Sequence, residues 1–547
     1  MSDHPDHGAA GAPLPEVDPE APRRDPVPAP RWAGPVAGLL AAAAALGTGW
    51  LVAAGLDVVA PLDAVGSEFI DRTPAWLKDL AIDWFGTANK AALRVGMVMA
   101  IALLAALAGA LARRRRWIGP AAMAVFGALG AAVAAGRPGQ GAGAAIAALV
   151  AAIAGAAVIW WLSAIVAAGD PLRQQPTASR APDGWDRRQF VVAGAGTAAL
   201  AVGTSVAARS IERRRADDAR ADAPALPQVD DPTVSPEAIT SAAPEVPADA
   251  TLSPISPFIT PIADFYRIDT ALSIPRVRVD RWALEIGGMV DRPLRLTYAD
   301  LLDRPQVERH VTIACVSNEV GGNLVGTATW QGVLLADLLD EAGVQPGAEQ
   351  VFGTSVDGWT CGFPVAAATD GRDAMIAVGM NGEPLPVRHG FPARVIVPGL
   401  YGYVSATKWL ARLDLTTWEA EEGYWIPRGW AREAPIKTQS RIDVPRRGET
   451  VEAGTVAIAG VAWAQRRGVT RVEVRIDDGD WVEARLGSDV STDTWRQWLL
   501  EWQAEPGEHV IQVRATDGSG EVQTAEVARP DPDGATGHHS RRVIVEA

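Results

Sequence analysis

The sequence predicts a multi-domain protein with about five N-terminal transmembrane α-helices, a mixed α+β domain and a C-terminal immunoglobulin-like β-sandwich. Three observations support this prediction. Long apolar runs are confined to the N-terminal part of the chain, whereas short strand-like and helix-like segments alternate in the middle. After about residue 436, strand-like segments separated by Asp-Gly turns dominate. A chain of 547 residues also exceeds what one hydrophobic core usually holds.

The composition excludes several classes of protein. The formal net charge of −15 argues against nucleic acid as a partner, because such a surface needs a concentrated basic face. Two cysteines, Cys315 and Cys361, are too few for a disulfide framework or for a cysteine-ligated iron–sulfur cluster, which needs about four thiolates. The seven histidines lie outside the apolar runs, so a membrane haem held by paired histidines is not expected.

The first part of the chain is a predicted membrane domain at residues 35–209, preceded by a disordered cytoplasmic leader at 1–34 that is rich in Pro, Asp and Ala. Each apolar run is about long enough to cross the hydrocarbon core as a helix. The alternative is a set of buried helices in a soluble domain. The runs lie at 35–55, 92–112, 118–135, 142–168 and 190–208. We therefore expect the lipid bilayer to be a partner of this chain.

Charge predicts the orientation of these helices. Arg187 and Arg188 precede Phe190 and a run of small apolar residues, a pattern typical of a twin-arginine export signal, here internal. Basic residues before the first run, after the second and before the fifth all fall inside if the N-terminus is cytoplasmic, as the positive-inside rule requires. The sequence thus predicts a multi-pass protein of the cell membrane with its C-terminal half outside. The basic stretch at 210–215 does not fit this pattern.

Three further parts complete the predicted domain organisation. Residues 210–250 are rich in Ala, Pro, Asp and Glu and predict a flexible linker. Residues 251–435 form the α+β domain, in which 332–344 has helical spacing and ends at Gly343, a C′ residue. Residues 436–547 form the β-sandwich. The tryptophans of 494–502 are spaced for a helix but lie among strands, and we predict a core strand with an irregularity there.

Cys315 lies in the stretch VTIACVSNEVGG at 311–322, and its role has two interpretations. A free cysteine at the end of an apolar strand is commonly a small packed hydrophobe. The polar residues and the glycine pair that follow it also suit a loop that carries chemistry. The stretch alone favours packing, and only the rest of the chain supports a functional thiol.

An ordered set of motifs over the second half provides that support. FYRIDTAL, CVSNEVGG, TWQGVLL, DGWTCGFP, VGMNGEPLP, HGFPARVIVPGLYGYVSATKWL and PIKTQSRIDVP together resemble the molybdopterin-binding domain of the sulfite oxidase family. The tail from about 436 resembles that family's dimerisation domain. The resemblance implies a molybdenum cofactor with one pyranopterin dithiolene (Mo-molybdopterin), and a homodimer.

The resemblance also implies roles for single residues. Cys315 matches the thiolate ligand of molybdenum, a soft donor that suits this metal. Further positions match cofactor-binding residues, the cations among them suiting a phosphate: Tyr266, Arg267, Asn318, His389, Arg394, Ser405 and Lys408. Residues expected on the substrate side, together with the catalytic Cys315, are Tyr401, Tyr403 and Arg467. The alternatives are ordinary surface charges, turn residues and packed tyrosines.

One departure from the family affects the substrate. Sulfite oxidases follow the ligand cysteine with glycine, asparagine and arginines that bind an anion, whereas this chain has Val316, Ser317, Asn318 and Glu319. We therefore expect oxo transfer to or from a small-molecule substrate, by reduction of an S- or N-oxide or by oxidation of a sulfur compound. A separate electron-transfer partner is also required. The alternative is a metal-free membrane scaffold or receptor that uses the fold as an interaction module.

Overall fold

The computed structural model describes residues 29–85, 88–138, 140–167, 185–221, 223–229 and 255–547. Most of the predicted leader and most of the predicted linker lie outside these residues. The chain forms two compact units that are interleaved in sequence. The first unit contains Met1–Thr48, Val98–Ala128 and Leu149–Ser205, and the second contains Gly49–Met97, Leu129–Ala148 and Val206–Ala547.

The N-terminal part is helical, as predicted. Its helices are α1 (Ala33–Leu56), α2 (Pro61–Arg72), α3 (Ala75–Phe85), α4 (Asn89–Ala112), α5 (Ile118–Gly136), α6 (Gly141–Ala167) and α7 (Arg187–Ala221). Among the described residues, five of these helices are long and apolar enough to cross a membrane: α1, α4, α5, α6 and α7. The short helices α2 and α3 were not predicted, because their mixed composition gives no continuous apolar run.

Small residues determine the packing within the first unit. A Cβ added to Gly109 of α4 would collide with the backbone of Gly34 and Gly38 of α1, so these helices approach as closely as glycine permits. Large apolar side chains of the same unit point outward: Leu103, Ile153 and Val192 are 73%, 68% and 64% exposed. Helices with small residues inside and large apolar residues outside suit a lipid environment.

The α+β domain lies in the second unit and contains two five-stranded sheets, ordered β2-β1-β10-β5-β6 and β3-β4-β7-β8, with β9 added to β7. Its strands are β1 (Ala283–Gly288), β2 (Leu294–Thr297), β3 (Val307–Ala314), β4 (Val325–Leu334), β5 (Gln350–Ser355), β6 (Thr360–Pro364), β7 (Met375–Met380), β8 (Glu383–Pro384), β9 (Arg394–Ile396) and β10 (Leu410–Thr416). Its helices are α8 (Tyr298–Leu302), α9 (Leu335–Ala342), α10 (Ala366–Thr369) and α11 (Gly402–Ser405). One core, which includes Trp330 and Trp409, joins the two sheets.

The helix predicted at 332–344 is present but shorter. The residues before Leu335 belong to β4, which pairs with β3 and β7 and is buried along nearly its whole length. Ladder pairing on both sides therefore overrides the helical spacing of its last residues. The helix ends where predicted, with Gly343 at φ +71°, a conformation that glycine adopts without strain.

The C-terminal part is a β-sandwich, as predicted. Its sheets are ordered β11-β13-β17-β16 and β12-β19-β18-β14-β15. Its strands are β11 (Gln439–Val444), β12 (Thr450–Glu452), β13 (Gly454–Trp463), β14 (Val469–Ile476), β15 (Val482–Glu483), β16 (Arg485–Leu486), β17 (Arg496–Ala504), β18 (Gly507–Asp517) and β19 (His539–Glu546). The tryptophan-rich stretch is strand β17, with Trp498 fully buried opposite Gly460, which confirms the core strand. The predicted irregularity is absent from its pairing with β13, whose register is continuous.

Part of the predicted linker is ordered. Helix α7 continues to Ala221, and beyond it Leu226 packs against the core of the α+β domain while the carbonyl of Pro227 accepts a 2.7 Å hydrogen bond from Gln331. The basic end of α7 is also engaged, since Arg215 donates to the C-terminal carbonyls of α1 at Ala54 and Gly55. A cation at a helix C-terminus is stabilised by the helix dipole, which gives this charge a structural reason.

Candidate active site

A cavity of about 140 Å³ in the α+β domain brings together most of the polar residues that the sequence predicted for the site. Its polar lining includes Cys315, Ser317, Asp269, His389, Arg394 and Lys408. Its aromatic lining includes Phe265, Tyr266, Trp359, Tyr403, Trp409, Trp425 and Trp430. The cavity therefore combines one thiol, two cations, the carboxylates of Asp269 and Asp357, and a largely aromatic wall.

Cys315 is placed by the turn that follows β3. Its amide donates to Leu324 at 2.9 Å, and its carbonyl accepts from Asn318 at 3.0 Å. The Asn318 side chain accepts from the Leu324 amide at 2.8 Å. Asn318 is thus buried within the loop that presents the thiol, and it does not line the cavity. It shapes the turn.

The electrostatics of Cys315 argue against a free nucleophile. Burial raises the pKa of the Cys315 thiol, against the opposing hydrogen bonds of Ser317 and the charge of Lys408. A thiol with a raised pKa is a weak nucleophile at neutral pH, whereas a bound metal ion deprotonates a coordinating thiol outright. Cys361 differs, because it is outside the cavity lining and its Sγ lies 3.1 Å from the hydroxyl of Thr407.

Arg394 at the start of β9 is a buried cation. Its guanidinium lies 4.9 Å from the ring centre of Trp330, and one Nη donates to the His389 carbonyl at 3.1 Å. Its Nε has no hydrogen-bond partner, and no carboxylate of the described residues forms an ion pair with it. Burial lowers the pKa of Arg394 to about 10, so it stays charged at neutral pH. A buried charge without a counter-ion is costly unless a ligand supplies one.

His389 has a similar unmet hydrogen-bonding capacity. The side chain is 2% exposed, and its Nε2 is buried without a partner. Burial, reinforced by the charges of Arg394 and Lys408, lowers the pKa of His389 to about 3. The imidazole is therefore neutral at pH 7 and offers a hydrogen bond, not a charge, to a ligand.

Lys408 is paired with Asp269, a residue that the sequence reasoning did not select. Its Nζ lies 2.8 Å from the Asp269 carboxylate and 2.9 Å from the Ile268 carbonyl. Arg267 also binds Asp269, at 2.7 Å, and does not line the cavity. Burial lowers the pKa of Lys408 to about 8, against the raising effect of Asp269. The motif FYRID, from which Tyr266 and Arg267 were predicted, also contains Asp269. The same motif could therefore have identified Asp269 as a site residue.

Retention of an anionic ligand should depend on pH through Lys408. The folded pKa of about 8 lies below the ordinary value of 10.5, so Lys408 is mostly charged below pH 8 and loses its charge above it, while Arg394 keeps its own charge. We expect cofactor retention to be flat below pH 8 and to fall by up to about tenfold per pH unit above it. Molybdenum remaining after dialysis at pH 7 and pH 9.5 measures this.

The matched control for this experiment is Lys408→Arg, whose charge persists over the same range. The stability of the ligand-free protein should change in the opposite direction. Because the unfolded lysine still holds its proton between pH 8 and 10.5, the Lys408 contribution to folding becomes more favourable as pH rises through that window. A pH-independent retention in the wild type would contradict the charge role of Lys408.

Besides Asn318 and Arg267, three more residues predicted for the site lie outside the cavity lining. The guanidinium of Arg467 forms a 2.7 Å ion pair with Asp517 within the β-sandwich. Tyr401 is buried, and its hydroxyl lies 3.5 Å from the Lys437 amide, which donates to it. Ser405 is buried and donates to the Tyr401 carbonyl at 3.1 Å. These contacts lie within the protein, and the direct roles expected of these residues stay predictions.

Tyr403 does line the cavity, but its hydroxyl already donates a hydrogen bond within the protein, to the Ala431 carbonyl at 2.6 Å. The ring lies 5.6 Å from that of Trp430, which in turn lies 5.9 Å from Trp425. These two tryptophans and Trp359 were not predicted as site residues. A chain with 20 tryptophans gives no local signal that distinguishes the cavity-lining ones from those of the cores.

Comparison with known proteins gives the family of these domains. Residues 271–425 match the model of the oxidoreductase molybdopterin binding domain, and residues 439–524 match that of a bacterial Ig domain. The chain is 32% identical to human mitochondrial sulfite oxidase over 322 residues, which cover 50% of this chain and 58% of the human protein. It therefore spans less than two thirds of that relative.

Two further proteins are similar. Sulfite oxidase of Gallus gallus is 30% identical over 321 residues, covering 50% of this chain and 69% of the relative. Among solved structures, the sulfane dehydrogenase SoxCD of Paracoccus pantotrophus is 25% identical and has a TM-score of 0.46, covering 56% of this chain and 91% of that one.

The residues of the cavity fit the cofactor that this domain binds. The unpartnered Arg394 Nε and His389 Nε2 are buried donors or acceptors without a protein partner. The positive charges of Arg394 and Lys408 suit a phosphate, and Cys315 offers a soft sulfur donor in the same cavity. These features together match an anionic cofactor that is ligated through sulfur.

Proposed function

Because the chain belongs to the sulfite oxidase family of molybdopterin-dependent oxidoreductases, we propose that it is a membrane-anchored enzyme that transfers an oxo group to or from a small substrate. The residues that would hold the cofactor are Cys315, as the metal ligand, and Tyr266, His389, Arg394 and Lys408 around the organic part. The observation that carries this proposal is the buried, unpaired Arg394 in the same cavity as Cys315.

The chain's own residues have distinct tasks in this reaction. When bound, the molybdenum cofactor supplies two-electron oxo-transfer chemistry. Cys315 stays fixed because the turn at 315–324 is hydrogen bonded on both sides of it. The ring of Tyr403, anchored through its hydroxyl to Ala431, and the neighbouring tryptophans limit the entry of water and orient a substrate.

The aromatic lining favours an uncharged substrate. Glu319 is exposed and does not line the cavity, and Arg467 is held by Asp517. Among the described lining residues, the cations are Arg394 and Lys408, which the cofactor would use. A sulfur compound or an S- or N-oxide of low charge fits this surface better than sulfite. Both directions of oxo transfer are compatible with it.

Electrons would pass to or from a separate partner. The second half of the chain contains no CxxCH motif, and no histidine occurs in the five apolar helices. A redox protein or a small carrier must therefore take up or deliver electrons.

The β-sandwich, which resembles a dimerisation domain, supports a homodimer as the assembled form.

Membrane anchoring is supported by five apolar helices and by the distribution of charge. An odd number of crossings places the two ends of the helical part on opposite sides. Arg187 and Arg188 open α7, as expected for an export signal that precedes an apolar run. The α+β domain and the β-sandwich would then lie on the extracytoplasmic side of the cell membrane.

Replacement of Arg187 and Arg188 by lysine is expected to leave the C-terminal half inside the cell, because the export receptor distinguishes arginine from lysine. Accessibility to protease added outside spheroplasts measures this, with Arg213 and Arg214, at the other end of α7, replaced by lysine as the control. Unchanged cleavage of the Arg187/Arg188 variant from outside would refute the export role of the pair.

Elemental analysis of the detergent-purified full chain tests the proposed function. We expect about one molybdenum per chain from a host that makes the cofactor, and an electron paramagnetic resonance signal of Mo(V) after partial reduction. Absence of molybdenum under these conditions would instead support the metal-free scaffold. The scaffold does not account for a buried arginine without an anion in the cavity that holds Cys315.

A further inference from the structure

One wall of the cavity is bonded to an apolar helix of the N-terminal part. The wall is the segment 265–270, which contributes Phe265, Tyr266 and Asp269 to the lining. Lys90, in the first turn of α4, donates to the Asp269 carboxylate at 2.7 Å and to the Ala271 carbonyl at 2.8 Å. These contacts link residues 179 and 181 positions apart, and all of them lie within the second unit.

The chain is also held just after this segment, at Leu272. Arg94, one helical turn after Lys90, donates to the Leu272 carbonyl at 2.6 Å and binds Asp63 of α2 at 3.1 Å. The Leu272 side chain packs closely at Gly66 of α2, where an added Cβ would lie 2.9 Å from Leu272 Cδ2. The hydrogen bond from Arg94 to Leu272, the ion pair of Arg94 with Asp63, and the packing of Leu272 at Gly66 therefore connect the end of the wall to α2 and α4.

Lys90 is one of three cations that bind the buried carboxylate of Asp269. The Asp269 side chain is 6% exposed and is bound by Lys90, Arg267 and Lys408. Burial alone would raise the pKa of Asp269, but these three cations outweigh it and hold that pKa below its ordinary value. Without Lys90, only Lys408 and Arg267 would balance the negative charge of Asp269. The positive potential that these two cations produce in the cavity would then be lower, and an anion there would be bound less strongly.

We propose that Lys90 is a positioning residue for the cofactor site: by binding Asp269 and the Ala271 carbonyl, it fixes the cavity wall and keeps the charge of Lys408 available to the cofactor's phosphate. The inference rests on the proposed function in taking that phosphate as the anion. The apolar helices therefore do more than anchor the domain, because α4 supplies a residue on which the site depends.

The experiment uses the full chain in detergent and compares Lys90→Met, Lys90→Arg and Lys78→Met with the wild type. Lys78 is the matched control, because it is a lysine of the nearby helix α3 that binds the Tyr424 hydroxyl at 3.0 Å, away from Asp269. Two quantities are measured: molybdenum retained during prolonged dialysis at pH 7, and hydrogen–deuterium exchange of the peptide that covers 265–272.

We expect Lys90→Met to lose molybdenum and to exchange in that peptide about tenfold faster, as the loss of charge-assisted bonds to a buried carboxylate implies. Lys90→Arg should recover most of both properties, and Lys78→Met should match the wild type. The inference is overturned if the exchange or the retention of Lys90→Met equals that of the wild type. A wild type without molybdenum would refute the proposed function instead, while the exchange of 265–272 would still decide whether Lys90 holds the wall.

Discussion

Replacement of Cys315 by serine is expected to lower kcat by roughly a thousandfold or more, which corresponds to about 4 kcal/mol of transition-state stabilisation. A serine hydroxyl is a hard donor that stays protonated, so it cannot replace a thiolate as the ligand of a soft site. The loop should survive, because its hydrogen bonds use the backbone of Cys315 and the side chain of Asn318. Steady-state kinetics, molybdenum content and thermal unfolding of the variant measure these effects.

Cys361→Ser is the matched control for this experiment. Cys361 is 2% exposed, and its Sγ contacts the Thr407 hydroxyl at 3.1 Å, an interaction that a serine hydroxyl can also make. We expect normal turnover and a small change in stability. Full activity of Cys315→Ser would remove Cys315 from the catalytic centre, and the thiol would then be a packed residue of the cavity.

Replacement of Arg394 by methionine is expected to separate cofactor binding from stability. The cofactor should be lost, because a buried cation of the proposed phosphate site disappears. The ligand-free protein should unfold with an equal or higher free energy, by up to about 1 kcal/mol, because the variant no longer buries an unpaired charge. The loss of the contacts with Trp330 and the His389 carbonyl limits this gain.

Arg441 provides the contrasting control. It is buried to a similar degree but binds Asp443 at 2.7 Å. Arg441→Met removes the ion-pair partner of this carboxylate, which keeps a 3.2 Å hydrogen bond from the Ser256 amide, and should destabilise the protein by about 3 kcal/mol. Thermal unfolding of the ligand-free variants, together with their molybdenum content, distinguishes the two cases. A strong destabilisation by Arg394→Met would mean that Arg394 stabilises the ligand-free fold. It would contradict the view that the Arg394 charge is unpaired until an anion binds.

Several features of this protein were predictable from sequence because their causes are local or periodic. Apolar runs of about twenty residues predict spanning helices wherever they occur. Helices α1, α4, α5 and α6 follow these runs closely, whereas α7 continues past its run to Ala221. Gly343 predicts a helix end through its own backbone freedom. Short alternating strands with turn residues between them predicted the β-sandwich. The motif around Cys315, together with those at 389–394 and 405–408, selected residues that mostly meet in one cavity.

Other features were decided only by tertiary structure, because they depend on which distant residues pack together. Strand β4 overrode the helical spacing of 332–334 through pairing on both sides. Arg467 matched an expected site residue, but Asp517, distant in sequence, holds it within the β-sandwich. The binding of Asp269 by Lys90 joins an apolar helix to the cavity wall across 179 positions. Burial converts such pairings into large electrostatic effects, and no local pattern of residue types specifies them.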